Sequence, residues 1–75
     1  MDIARTRAPD DWIATIFAAQ AVAKGGIVRR DDRWVDREVG RSRFEFEVRR
    51  RGFHLVECGG QLIVICNQDG MRVIC

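Results

Sequence analysis

The sequence predicts an α+β fold in which three helices precede an antiparallel β-hairpin or meander. An apolar run between Pro9 and Gly25 has the composition and the terminators of a helix, and residues 53–75 form short strand-like runs separated by turn residues. Because 75 residues support only one hydrophobic core, we expect a flexible N-terminal arm, residues 1–8, and a single domain, residues 9–75. One or two helices packed on an antiparallel sheet is the alternative fold.

The charged residues are unevenly distributed along a chain of globular composition, with 47% hydrophobic and 32% charged residues. The net charge is only +2, but nine of the 13 basic residues lie between Arg29 and Arg51, against six acidic residues in the same stretch. All nine are arginine, which suits bidentate contacts to phosphates, bases or carboxylates better than lysine does. A surface of mutually compensating charges has the same composition.

We expect the first helix to begin at Pro9, where two aspartates follow and complement the helix dipole, and to end before Gly25 and Gly26. From Trp12 onward its only polar residues are Thr15, Gln20 and Lys24. Its length of about 20 Å, at 1.5 Å per residue, is too short to cross a bilayer. Since it lacks a polar face, we expect its alanine-rich side to pack on a second molecule; burial inside the domain is the alternative.

The middle of the chain predicts a short extended segment, "GGIVRR", followed by a second helix, "DDRWVDREVG". Asp31 or Asp32 is expected to cap this helix and Gly40 to end it. Val35 and Val39 are spaced i and i+4, so they share one helix face and are expected to face the core.

The segment "RSRFEFEVRRRG" is compatible with two structures. Apolar residues alternate with glutamates from Phe44 to Val48, which is typical of a strand. Ser42 followed by Glu45 matches a capping box, and Gly52 lies where a helix would end, so we expect a helix. In that helix the inner face would carry Phe44, Val48 and Arg51, and the outer face Arg43, Phe46, Arg49 and Arg50.

The runs "FHLVEC", "QLIVIC" and "MRVIC" predict a three-stranded meander, with Gly59 and Gly60 as a two-residue turn. The face expected to form the core carries Phe53, Leu55, Leu62, Val64, Cys66, Met71, Val73 and Cys75. The opposite face is also apolar in part, so we expect a homodimer or partner surface made of Val56, Ile63, Ile65 and Ile74.

The order of helix, short strand, helix, turn, helix and hairpin resembles that of winged helix-turn-helix domains over about residues 10–66. The stretch "REVGRSRFEFEVRRRGF" is similar to the second and third helices of that superfamily, and "RRRGF" to the passage from the recognition helix into the wing. This resemblance implies DNA binding and transcription regulation, with the third helix in the major groove.

The stretch "EVRRRGFHLVECGGQ" also resembles a group of short bacterial proteins, some of which carry the label phosphoribosylanthranilate isomerase. An isomerase of that kind is a (β/α)₈ barrel of about 250 residues. A chain of 75 residues cannot build such a barrel, so no isomerase activity is expected.

If the winged-helix resemblance holds, the arginines form a DNA-binding surface. Those nearest the bases would be Arg41 and Arg43, together with Phe46; those approaching phosphates would be Arg49, Arg50 and Arg51, with Arg29 and Arg30 on the flanking strand. In the alternative function, an interaction module or small inhibitor, the same face would dock on an acidic protein partner. A purely structural interpretation pairs Arg43 with Glu47, and both Arg41 and Arg49 with Glu45, at i, i+4 spacing.

No catalytic, cofactor or metal chemistry is expected. His54 is the single histidine, and Cys58 would lie about 13 Å along the same strand, at 3.3 Å per residue, which is too far for two ligands of one ion. Cys58, Cys66 and Cys75 are expected to be reduced and buried. Because the first residues do not form a secretory signal, we expect a cytoplasmic protein without membrane contact.

Overall fold

The structure, a computed structural model, describes residues 8–75, so the expected N-terminal arm lies outside the described residues except for Ala8. Within that range the chain has the expected α+β class, with four helices and one three-stranded antiparallel sheet. The elements in chain order are α1 Pro9–Phe17, α2 Gln20–Ala23, β1 Ile27–Asp31, α3 Asp32–Glu38, α4 Arg41–Arg50, β2 His54–Cys58 and β3 Gln61–Ile65.

The prediction of one continuous first helix is wrong, because the helix is interrupted at Ala18 and Ala19 and divides into α1 and α2. Ala19 is extended, with φ −60° and ψ 149°. Ile13 and Ile16 of α1 are buried, and an unbroken helix would place Gln20 on that same face. The break turns Gln20 outward and packs Ala21 and Val22 against the core.

The sheet has the order β1-β3-β2, which corrects the predicted meander. The third strand is β1, the segment expected only to be extended, and it pairs antiparallel with β3 from Ile27 opposite Ile65 to Asp31 opposite Gln61. The run "MRVIC" forms no strand. The physical reason is that β3 already has a partner on each side, so the position expected for that run is occupied by β1.

The β2–β3 hairpin forms as predicted, with Gly59 and Gly60 in the turn at φ 57° and 76°. Most residues with a side chain are strained at such positive values, so the two glycines specify the turn locally. Leu62, Val64 and Cys66 are buried as expected, and Phe53 and Leu55 are partly buried against the same core. Met71, Val73 and Cys75, expected on this face, are exposed because they lie beyond the sheet.

The second predicted helix, α3, is capped by Asp31, one of the two aspartates expected to do so, whose Oδ1 accepts from the amides of Arg33 and Trp34 at 2.9 and 3.0 Å. The segment that follows is a helix, α4, as we expected, but the predicted capping box does not form. The N-cap of α4 is Gly40, with φ 96°, and Ser42 lies inside the helix. Gly40 provides the sharp change of direction between α3 and α4 that a residue with a Cβ would make under strain.

The core lies between the helices and one face of the sheet. Its fully buried side chains are Phe44, Ile16, Leu62, Val35 and Val64, which come from three helices and the central strand. Trp12 of α1 and Trp34 of α3 meet edge to face at a centroid distance of 4.7 Å, which closes the core beside α3. Because Phe44 belongs to this core, the inner side of α4 is buried and its outer side faces solvent.

The cysteines differ from expectation: Cys66 is buried, but Cys58 and Cys75 are exposed, and all three are free thiols. Burial raises the pKa of the Cys66 thiol. Cys58 ends β2 beside the hairpin turn, where no described element covers it, and Cys75 lies outside the sheet. No helix among residues 8–75 has the length and apolar character needed to cross a membrane.

Candidate nucleic-acid interface

The outer side of α4 carries three arginines around one aromatic ring. We call this surface, formed by Arg43, Phe46, Arg49 and Arg50, the α4 outer face. All four residues are exposed, and Phe46 keeps 56% of its surface accessible. The inner residues Phe44 and Val48 are 0% and 2% exposed, so the helix has a buried and a solvent side as predicted.

Helical spacing places Phe46 at the centre of this face. Arg43 precedes it by three residues, Arg49 follows it by three and Arg50 by four, and residues at these separations are surface neighbours on a helix. Burial of the opposite side fixes the direction in which all four side chains leave the helix. The face therefore combines three cationic groups with one apolar ring on about two turns of helix.

Glu47 gathers arginines along one border of the α4 outer face. It is only 7% exposed, and its carboxylate accepts from Nη2 of Arg50 at 3.0 Å and from Nη1 of Arg51. Nε of Arg43 lies 3.7 Å from its Oε2, which confirms the i, i+4 pair expected from the sequence. The hydrogen bond from Arg51 and then that from Arg50 lower the pKa of Glu47, so the carboxylate is held in its charged form.

Arg51 has a structural position instead of a place on the outer face. Its guanidinium carbon lies 4.1 Å from the centroid of the Phe17 ring, and that ring packs at 6.1 Å from Phe44 and 6.4 Å from Phe53. The cation therefore covers one edge of the aromatic core while it donates to Glu47. The winged-helix resemblance implied that Arg51 approaches phosphate, whereas the helical spacing put it on the inner face of α4, and the structure places it with the core-facing residues.

Arg41 also lies apart from the outer face, on the side of α4 that faces β2. Its Nε donates to Asp36 at 3.0 Å, and its Nη2 lies 3.6 Å from Glu57. The pair of Arg41 with Glu45 expected from the sequence does not form, because these two acids from α3 and β2 are within reach instead. Among the described residues Arg49 has no acidic partner at all, so its expected pair with Glu45 is absent too.

Arg29 and Arg30 are on β1, at the edge of the sheet opposite β2. Strand alternation puts Arg29 on the face of the sheet that the helices do not cover, and Arg30, opposite Leu62, on the helix side. The structure brings them together with Asp31 and Gln61, in a shallow depression of their own. It does not bring them onto the α4 outer face.

The uncovered face of the sheet carries three of the four residues expected to form a dimer or partner surface. Val56, Ile63 and Ile65 are partly buried there, whereas Ile74 lies beyond the sheet and is 82% exposed. Sequence reasoning missed Ile27, which is paired with Ile65 and is 59% exposed. The alternation of side chains along β1 puts Ile27 on this face, but that alternation is informative only once β1 is known to join the sheet.

No family model, no curated protein and no solved structure matches the chain. Within residues 8–75 no three His, Cys, Asp or Glu side chains are grouped so that they could hold a metal ion. What the surface can do chemically follows from its own groups, which are planar cations suited to phosphates and base edges and an aromatic ring suited to apolar contact.

Proposed function

We propose that this protein is a nucleic-acid-binding, regulator-like module of the winged-helix type that places the α4 outer face against duplex DNA. The observation that carries the proposal is the arrangement of one helix: Phe46 is exposed at the centre of three exposed arginines, while Phe44 and Val48 anchor the opposite side in the core. A helix fixed in this way presents its cations as a unit instead of as scattered side chains.

The ion pairs of the face leave its cations available to phosphate. Arg43 pairs with Asp10, and both side chains are well exposed, at 44% and 75%. Exposed pairs of this kind contribute about 0–1 kcal/mol, so a phosphate can replace the carboxylate at small cost. Among the described residues Arg49 has no acidic partner that a phosphate would have to displace. Glu47 carries one negative charge against the three arginines around it.

The order of the elements also supports the proposal, because the chain runs from a helical region through β1 to α3, α4 and the hairpin. In a winged helix with this order, α4 would be the recognition helix. Arg43, near its start, would address a guanine through two hydrogen bonds, Phe46 would contact a thymine methyl group, and Arg49 and Arg50 would reach phosphates. The tip of the hairpin has no basic residue, so α4 would carry the binding.

A titration of labelled duplex DNA by fluorescence anisotropy at two salt concentrations tests the proposal. Counterion release predicts that the affinity falls steeply between about 50 and 200 mM KCl. Arg49→Glu should weaken binding by at least about fivefold at low salt and flatten the salt dependence, because one phosphate contact becomes a repulsion. No binding at micromolar protein in low salt would contradict the proposal.

Arg29→Glu is the matched control, since it makes the same change of charge on the uncovered face of the sheet. Its effect on DNA affinity should be much smaller than that of Arg49→Glu, although both variants have the same net charge. Equal losses in the two variants would mean that only the total charge matters, and that α4 is not the contact surface.

A second candidate is docking on an acidic protein, and the exposure of Phe46 favours it. Interface centres are enriched in aromatic residues and arginine, and Asp10 and Glu47 reduce the positive charge that DNA would require. The DNA titration separates the two functions. Binding to an acidic polypeptide that is lost in Phe46→Ala, with no binding to DNA, would select the protein partner.

A further inference from the structure

A cleft runs along the edge of the sheet between α4 and β2. It encloses about 390 Å³ and is lined by apolar side chains from three elements, Val48, Leu55 and Leu62. Arg49 and Glu57 add charges to its lining. Such a cleft beside an edge strand has the shape of a site that accepts an extended peptide as an additional strand.

The backbone of β2 is available for such an addition, because among the described strands β2 pairs with β3 alone. The two-residue turn makes Cys58 and Gln61 a hydrogen-bonded pair, and the alternation of an antiparallel ladder then directs the backbone groups of Leu55 and Glu57 away from β3. No backbone hydrogen bond joins these two residues to any other described segment. An uncovered edge of this kind is a template for pairing with another strand.

A strand-like segment of the same chain leaves from one end of the cleft. Residues 67–70 are held near the start of β2: Gln68 donates to the carbonyl of Arg51 at 2.8 Å, and Nε2 of His54 lies 2.6 Å from the carbonyl oxygen of Asp69. Met71 then lines the cleft, and the chain moves out into solvent. Val73 is 77% exposed and Ile74 82%. Within the described chain, residues 70–75 make no backbone hydrogen bond to another segment.

We propose that residues 71–75 of one copy add as a strand to the free edge of β2 in a second copy, so that two chains exchange these segments around a two-fold axis. Each molecule carries both halves of the contact, an apolar segment that projects from the domain and a cleft with an unpaired strand edge. A two-fold arrangement pairs both halves at once and leaves neither exposed.

The composition of the segment fits the two sides of that edge. In an added strand, Met71 and Val73 would point to one side of the sheet and Ile74 to the other. Each side of the edge offers an apolar contact, since Leu55 faces the cleft, beside the charged Glu57, and Val56 faces the uncovered side of the sheet. An added strand therefore needs apolar residues on both of its faces, which residues 71–75 have.

Sedimentation equilibrium of the full chain under reducing conditions tests the exchange. The double variant Arg72→Pro/Val73→Pro removes two neighbouring amide N–H groups, one of which must face β2 in a ladder. We expect a concentration-dependent dimer for the original chain, and a dimer dissociation constant raised at least about tenfold by the prolines. Arg72→Ala/Val73→Ala keeps the amides and should weaken the dimer less. Both positions are exposed, so circular dichroism should show an unchanged fold in either variant.

Amide hydrogen exchange at Leu55 and Glu57 identifies the occupant of the edge. Protection that increases with protein concentration and disappears in the proline variant supports exchange between two copies. Equal protection at all concentrations in a monomer would mean that the segment closes on its own chain, and would overturn the proposal. A dimer insensitive to the prolines would place the interface elsewhere, and a monomer with unprotected amides at high micromolar concentration would also refute it.

Discussion

At the scale of residues, Glu47 connects the candidate surface to the fold. A carboxylate that is 7% exposed is stable only when hydrogen bonds and opposite charges compensate for its lost hydration. Arg50 and Arg51 supply the hydrogen bonds, and Arg43 supplies a third charge within 3.7 Å. Glu47 therefore holds Arg43 and Arg50, two residues of the α4 outer face, in place through its carboxylate. The stability of the fold and the position of these two cations thus depend on the same group.

The pH dependence of stability should report on this cluster. Because the folded state lowers the pKa of Glu47 below its ordinary value of 4.5, its ionised form stabilises the fold above that pH, and the contribution is lost as the pH falls through the lowered pKa. Urea unfolding at a series of pH values should therefore show that Glu47→Gln is less stable by about 1–2 kcal/mol near pH 7, with the difference shrinking as the pH falls below 4.5.

Glu45→Gln is the control for this series, since Glu45 is a half-exposed neighbour without an ion pair among the described residues. Its effect near pH 7 should stay within about 0.5 kcal/mol. A difference between Glu47→Gln and the original chain that does not change from neutral to acid pH would show that the carboxylate charge is not what stabilises the cluster.

At the scale of elements, α4 shows how two local patterns can compete. Alternation of apolar residues with glutamates from Phe44 to Val48 is typical of a strand, and the capping box that favoured the helix does not form. The helix is fixed instead by packing: Phe44 and Val48, four residues apart, both enter the core, while Phe46 points to solvent. A strand would have placed all three on one face.

Two phenylalanines of α4 give a direct test of that packing. Phe44→Ala removes a fully buried ring and should lower the unfolding free energy by about 3–5 kcal/mol, a large part of the total for a domain of this size. Phe46→Ala makes the same chemical change on the exposed side and should alter it by no more than about 0.5 kcal/mol. Chemical denaturation of both variants is the measurement; comparable losses would contradict the orientation of the helix.

At the scale of the whole molecule, β3 holds the fold together. It is the only described strand with a partner on both sides, and its Leu62 and Val64 are buried beneath residues from three helices. Local openings can release β1 or β2 from an edge, whereas β3 can separate from its neighbours only when the sheet as a whole opens.

Hydrogen exchange measured across the chain should reflect this position. The amides of β3 should be the slowest to exchange, with opening free energies close to that of global unfolding, and those of β1 should exchange faster. Mild denaturant should accelerate exchange in β3 in parallel with global unfolding. Faster exchange in β3 than in β1 would contradict the observed strand order.

The sequence by itself determined the features that depend on neighbouring residues. These are the α+β class, the hairpin turn at Gly59 and Gly60, and the start of α3 at one of the neighbouring aspartates Asp31 and Asp32. Each follows from backbone conformations or periodicities within one or two turns of the chain, so a local pattern is sufficient to predict it.

Only the tertiary structure decided the features that depend on distant partners. The shared core decides where the chain breaks between α1 and α2. The two sides of β3 decide which segments join the sheet, so β1 is included and residues 71–75 are excluded. The candidate surface has fewer arginines than expected for the same reason. Arg41 forms ion pairs with acids on α3 and β2, and Arg51 packs on the Phe17 ring. Local spacing does not reveal such contacts, because Glu57 and Phe17 are far along the chain from the arginines they contact, and Asp36 lies on a different helix.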